Sequence, residues 1–206
     1  MLIIVTGPSG SGKTHLIEAI ERVKGWHCIS KDRCKDRLAS AEPVRSFAHS
    51  QELSRAALGE LEREIEDRLA AGCTRLVVEG NLRADWLEQR IARWQSMEVL
   101  LLNMGAQADV LRQRICDRRF LGSRASHHFD CISMIKNWAE IEAGWYERPK
   151  SAARVLDIDS TKLSDLDVLR LIELLDEIDA ATTEGPSIVP SRQLPSMADQ
   201  LKEVNA

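Results

Sequence analysis

Eight consecutive residues, Gly7-Pro8-Ser9-Gly10-Ser11-Gly12-Lys13-Thr14, fill every fixed position of the pattern G-x-x-x-x-G-K-[ST], directly behind the apolar run of residues 2–5. This pattern demands one local shape. Its glycines accept positive φ, so successive backbone N–H groups can turn inward as a nest for phosphate oxygens. The helix expected to follow aims its positive end at the same place. The loop is therefore expected to bind the polyphosphate of a nucleoside triphosphate through Gly7, Pro8, Ser9, Gly10, Ser11, Gly12, Lys13 and Thr14. Lys13 would reach the β and γ phosphates. The Thr14 hydroxyl suits Mg²⁺, which takes a side chain or two beside phosphate oxygens and water.

A strand, a phosphate loop and a helix make one unit of a repeating plan. Strand-like runs at residues 2–6, 26–30, 75–79, 98–104 and 154–159 alternate with helical stretches, which predicts an α/β fold with a parallel, five-stranded sheet in three α/β/α layers. Residues 51–71 place Leu53, Ala57, Leu61, Ile65 and Leu69 four apart, an amphipathic packing helix ending before Gly72. Residues 132–145 carry Ile135, Trp138, Ile141 and Trp145 at helical spacing, read as a core stripe rather than a stacking platform for bases. After residue 180 periodicity fades and Pro186, Pro190 and Pro195 appear, so residues 1–180 are expected to form one domain and residues 181–206 a flexible tail.

A chain of 206 residues, 44% hydrophobic, is long enough to bury a real core, and its net charge of −4 argues against a surface built to clamp nucleic acid. The five cysteines are scattered, odd in number and without a C-x-x-C pair, the pattern of reduced thiols. No apolar run approaches membrane-spanning length and the first strand begins at once, so the cytoplasm is the expected compartment.

Other residues are candidates to face the γ phosphate. Asp32 follows the second strand and either accepts the proton of an attacking hydroxyl or caps the next helix. The apolar strand Leu76-Val77-Val78 ends in Glu79-Gly80-Asn81, placing an acid at the carboxyl edge of the sheet, where ligands collect, and Glu79 could orient magnesium-bound water. Arg112, Arg114, Arg118, Arg119 and Arg124 crowd into thirteen residues with one acid, Asp117. Arg114 and Arg118 share a helix face, and Gly122-Ser123 breaks the helix so that Arg124 can fold back as a lid over the charge of phosphoryl transfer. Arg83 could contact an acceptor but reads more simply as a solvated helix-start residue, and Arg112 as part of a solvated basic face. The adjacent His127 and His128 read as capping or hydrogen-bonding residues, since no carboxylate or cysteine stands at ligand spacing, and no zinc site is assigned.

Together these residues resemble the P-loop kinase superfamily, especially its polynucleotide-kinase-like and zeta-toxin-like branch, over roughly residues 1–178. The second strand of that branch leads into D-x-x-R. Asp32 matches the base, whereas Lys35 stands at the arginine position, a point charge in place of a fork. The stretch from Arg124 to Asp130 is similar to a lid-side R-H-x-G-H-x-D pattern, matched at Arg124, His128 and Asp130. Asp159-Ser160-Thr161 resembles an adenine-side loop. A likeness to guanylate kinase and ribose-bisphosphate kinase stops at the phosphate loop.

The resemblance implies an ATP- and Mg²⁺-dependent kinase acting on a hydroxyl or phosphate of a small metabolite or nucleotide. Lys13, Asp32, Arg118 and Arg124 would be catalytic, Arg114 and Arg118 would join the loop in holding ATP, and Thr14 and Glu79 would serve the metal. An alternative is a nucleotide-binding switch that recruits a protein partner through its tail. A nucleic-acid-end kinase ranks below both for want of a basic groove. The acceptor pocket is expected from residues 33–70 and the lid.

Overall fold

The computed structural model describes residues 1–94, 97–122, 125–152 and 154–183. Its centre is β1 (Leu2–Thr6), a run of large aliphatic residues in which every position is buried, as a strand covered on both faces requires. The other strands are β2 (His27–Ser30), β3 (Leu76–Glu79), β4 (Val99–Gly105) and β5 (Arg154–Asp159), and all neighbours pair in parallel in the order β2-β3-β1-β4-β5. The five-stranded parallel α/β architecture matches the expectation, with strand ends differing by at most a residue.

Alternation along β1 divides the core into two layers. Ile3 and Val5 pack with Leu16, Ile17 and Ile20 of α1 (Lys13–Lys24) and with Val168, Leu171, Ile172 and Leu175 of α8 (Asp165–Thr183). Leu2 and Ile4 face Ala57, Leu61 and Ile65 of α3 (Phe47–Ala70) and Leu87 and Ile91 of α4 (Ala84–Ile91). The remaining helices, α2 (Lys31–Ala41), α5 (Ala108–Phe120), α6 (Asp130–Lys136) and α7 (Trp138–Ala143), with a 3₁₀ turn at Ser126–His128, gather at the carboxyl edge of the sheet.

Two helices depart from their sequence reading. α3 starts four residues early because the Ser46 side chain accepts a hydrogen bond from the His49 amide at 3.1 Å, a cap that apolar spacing does not reveal. The expected helix over 132–145 is divided at Asn137, whose φ of −105° and ψ of 30° end α6 and open α7. That break destroys the single stripe. Ile135 and Trp138 are 69% and 44% exposed, while Ile141 is buried and Trp145 packs where a Gly105 side chain would stand. Trp138 instead receives the Arg112 guanidinium at 5.3 Å, and Arg112 also pairs with Glu142, so this arginine is anchored at the surface rather than simply solvated.

All five cysteines are free. Burial pushes the Cys28 thiol up to about 12 and Cys34 up to about 11, so both stay protonated and act as small apolar fillers. Among the described residues no helix is long and apolar enough to cross a membrane. Most of the segment read as a tail, residues 184–206, lies outside the described residues.

Candidate active site

The phosphate loop joins β1 to α1 and takes a shape that only glycine allows at two points. Gly7 has φ 140°, and a Cβ there would lie 1.9 Å from the Met104 carbonyl oxygen. Gly10 has φ 88° and would meet the Leu111 carbonyl oxygen at 2.9 Å. The Lys13 side chain is folded over this loop, its Nζ donating to the carbonyls of Gly7 and Pro8 at 2.9 and 2.8 Å. Thr14 follows it, exposed, in the first turn of α1. The loop is fastened from behind. Arg114 of α5 donates to the Gly10 carbonyl at 3.2 Å and to the hydroxyl and carbonyl of Ser160 at 3.1 and 2.7 Å, joining the phosphate loop to the segment after β5.

Parallel register carries Glu79 to the same edge, because β3 aligns Glu79 with Val5 of β1 and with Ser30 of β2. The carboxylate is buried, and the Ser30 hydroxyl donates to it at 2.6 Å. Ser30 also accepts from the Arg33 amide at 3.5 Å as the N-cap of α2. Capping therefore falls to Ser30, and Asp32, the second residue of α2, lines the cavity beside the loop.

Beside the loop lies a cavity of about 370 Å³. Ser9 of the phosphate loop lines it together with Lys31, Asp32 and Lys35 of α2, Arg55 of α3, Arg83 before α4, His128 and Asp130 at the start of α6, Glu140 of α7, and Tyr146. Asn81 bridges to the loop by donating to the Ser9 hydroxyl at 3.2 Å. Lys35, buried within α2, donates to Ser50 of α3 at 2.7 Å, and Ser50 in turn donates to the His127 carbonyl at 2.6 Å. Arg83 was expected to be a solvated helix-start residue. It is the exposed N-cap of α4, and it also lies on the cavity wall and pairs with Glu140 of α7. Burial, reinforced by Glu140, pushes the Tyr146 phenol well above its ordinary range, so it remains a neutral donor.

Arg118 shares the half-buried face of α5 with Arg114, one turn along. Arg124 lies outside the described residues. The cavity extends beyond the expected segments, since residues 81–86 complete a wall that spacing did not mark. Asp36, Glu140 and Tyr146 also escaped the sequence reading. Asp36 sits one turn after Asp32 on the same face of α2, and that i, i+4 relation was the one signal available.

Comparison with known proteins places this architecture. A family model described as an AAA domain matches residues 2–130, and the chain belongs to that family. The fold is that of the P-loop kinases. A protein from Chloroflexus aurantiacus j-10-fl, classed as a candidate kinase, superposes with a TM-score of 0.77 at 24% identity, over 85% of this chain and 96% of that one. A sugar kinase from Janibacter sp. HTCC2649 gives 0.55 at 18% identity, over 87% and 96%. A gluconokinase from Sinorhizobium meliloti 1021 gives 0.52 at 19% identity, over 88% and 94%. No curated protein matches the sequence significantly.

Proposed function

We propose that the protein is an ATP- and Mg²⁺-dependent kinase that moves the γ-phosphoryl group to a hydroxyl or phosphate of a small polar molecule. One observation carries the reading: the phosphate loop and the Asp32 carboxylate open onto one cavity, with Ser9 on its wall. The structural neighbours named as kinases of sugars or gluconate fit that size of acceptor.

In this reading the loop amides and Lys13 hold the triphosphate. Lys13 exchanges its two carbonyl partners for phosphate oxygens, which accept stronger, charge-assisted hydrogen bonds. The Thr14 hydroxyl and the Glu79 carboxylate are hard oxygen donors of the kind magnesium takes, and Ser30 already fixes one Glu79 oxygen. Bound magnesium would neutralise charge on the phosphate oxygens. Arg114 sets the position of the loop and would reach the nucleotide, and Arg118 would meet the charge that spreads over the transferred group, a role the resemblance also gives to Arg124. Asp32 accepts the proton of the acceptor hydroxyl, while Lys31, Lys35 and Arg55 orient the acceptor.

Mixed charge on the cavity wall suits a small, hydroxylated and polar acceptor better than an apolar one. The test is a thermal-shift screen of hydroxylated metabolites and nucleosides with Mg²⁺ and a non-hydrolysable ATP analogue, followed by phosphotransfer assays on each hit. ATP turnover is expected to stay at background until the acceptor is added. Hydrolysis that ignores every acceptor and rises with a protein partner would replace this reading with the switch.

A further inference from the structure

The two adjacent histidines, read from sequence as lacking a carboxylate partner, have one in space. Both imidazoles aim Nε2 at the same oxygen: His127 and His128 lie 2.7 and 2.8 Å from Asp36 Oδ1. Their rings lie side by side, tilted by 34° with centroids 4.5 Å apart. Asp36 is half-exposed, His127 is mostly covered and His128 is buried, so one side of the cluster meets water. The three donor atoms all lie within 4.8 Å of one another.

From this geometry we infer a binding site for a first-row divalent metal ion, Zn²⁺ being the best chemical match, formed by Asp36, His127 and His128 with water in the remaining position. Two imidazoles and one carboxylate are a familiar donor set for such ions. Ligand distances of about 2.0–2.2 Å in a tetrahedron require donor atoms about 3.3 Å apart. The Asp36 oxygen must retreat from each Nε2 by about half an ångström, which a half-exposed side chain can do without moving the backbone.

A second observation fits a metal ion on Nε2 of His128. The other nitrogen of His128, Nδ1, faces Asp32 Oδ1 at 3.9 Å. A neutral His128 donating from Nε2 to Asp36 would turn a bare Nδ1 lone pair toward that second carboxylate, an unfavourable meeting. Metal on Nε2 would place the proton on Nδ1, facing Asp32 at 3.9 Å, from where a small side-chain shift makes the outer carboxylate hydrogen bond that orients a ligating histidine and raises its basicity. The backbone that presents the histidines is itself held: Ser50 donates to the His127 carbonyl, and Phe129 packs edge-on against Phe47 at 6.1 Å. The ion would thus pin the turn before α6 to α2 and fix one wall of the cavity.

The site is separate from the phosphate loop, so it is tested on the full chain without nucleotide. Titration with Co²⁺, as a coloured substitute for Zn²⁺, should give one equivalent with visible d–d absorption and no thiolate charge-transfer band, and Zn²⁺ should displace it and raise the melting temperature. Asp36→Ala and His127→Ala, checked for folding by circular dichroism, should each lose the band and the thermal shift. Asp32→Asn should keep the stoichiometry and weaken affinity about tenfold or more. No Co²⁺ band in the wild type, or a band that survives both ligand variants, overturns the proposal and leaves a metal-free hydrogen-bonded cluster. ATP binding measured on the same samples keeps that failure distinct from any failure of the kinase reading.

Discussion

The phosphate loop and the neighbouring cavity share an edge of the sheet but are built in opposite ways. The loop is continuous in the chain, eight residues whose backbone is proposed to hold the phosphates, stiffened by glycine conformations and by Arg114. The cavity draws on α2, α3, α4, α7 and the turns between them, and it works through side chains held by other side chains. A site made of contiguous backbone tolerates almost no change of residue type at its glycines. A site made of distant side chains is free to change its substrate while the fold stays the same.

That contrast can be broken by mutation, and the largest effect is expected in the loop. Lys13→Ala should lower phosphotransfer by about 10³-fold or more, since a cation facing developing phosphate charge is lost. Retention of wild-type activity in that variant would remove the loop from the mechanism. Asp32→Asn should reduce kcat by about 10²-fold, the effect of losing a general base, while the dissociation constant for ATP measured by calorimetry stays unchanged. A matching loss of ATP affinity would mean that the two regions do not act separately.

Arg114→Ala sharpens the comparison from the loop side. It removes charge-assisted hydrogen bonds to Gly10 and Ser160, and it should weaken ATP binding about tenfold with little effect on acceptor KM. The smallest effect belongs to the Arg33–Glu21 fork, at 2.5 and 2.7 Å, which ties α2 to α1 and so joins the two regions. The Arg33 guanidinium holds the Glu21 carboxyl below its usual 4.5. Its stabilisation is complete above the unfolded-state pKa and is lost as pH falls through the lowered folded value. Glu21→Gln should cost about 0.5 kcal/mol at neutral pH, a difference that disappears in acid melts.

Legibility followed the same division. The five strands, the parallel sheet and the loop were readable because each depends on neighbours in sequence: short, mostly aliphatic runs, then glycines at set intervals. Glu79 was readable for a related reason, as the acid that ends an apolar strand. Arg83 is the exposed helix-start residue that the sequence suggested, but its partner, Glu140, could not be read because it arrives from a helix 57 residues later. The stripe over residues 132–145 failed because the Asn137 break could not be seen in the spacing of Ile135, Trp138 and Ile141.

Local order therefore sufficed for the strand, the phosphate nest and the helix that follows, since φ preferences and apolar periodicity act over a few residues. Folding alone brought Asp36 to His127 and His128, and Asp32 to the wall that Arg83 and Tyr146 complete. Those residues stand 51 to 114 positions apart in the chain, so packing and not spacing selects them: a side chain's partner is decided by which helices bury their apolar faces against the same sheet.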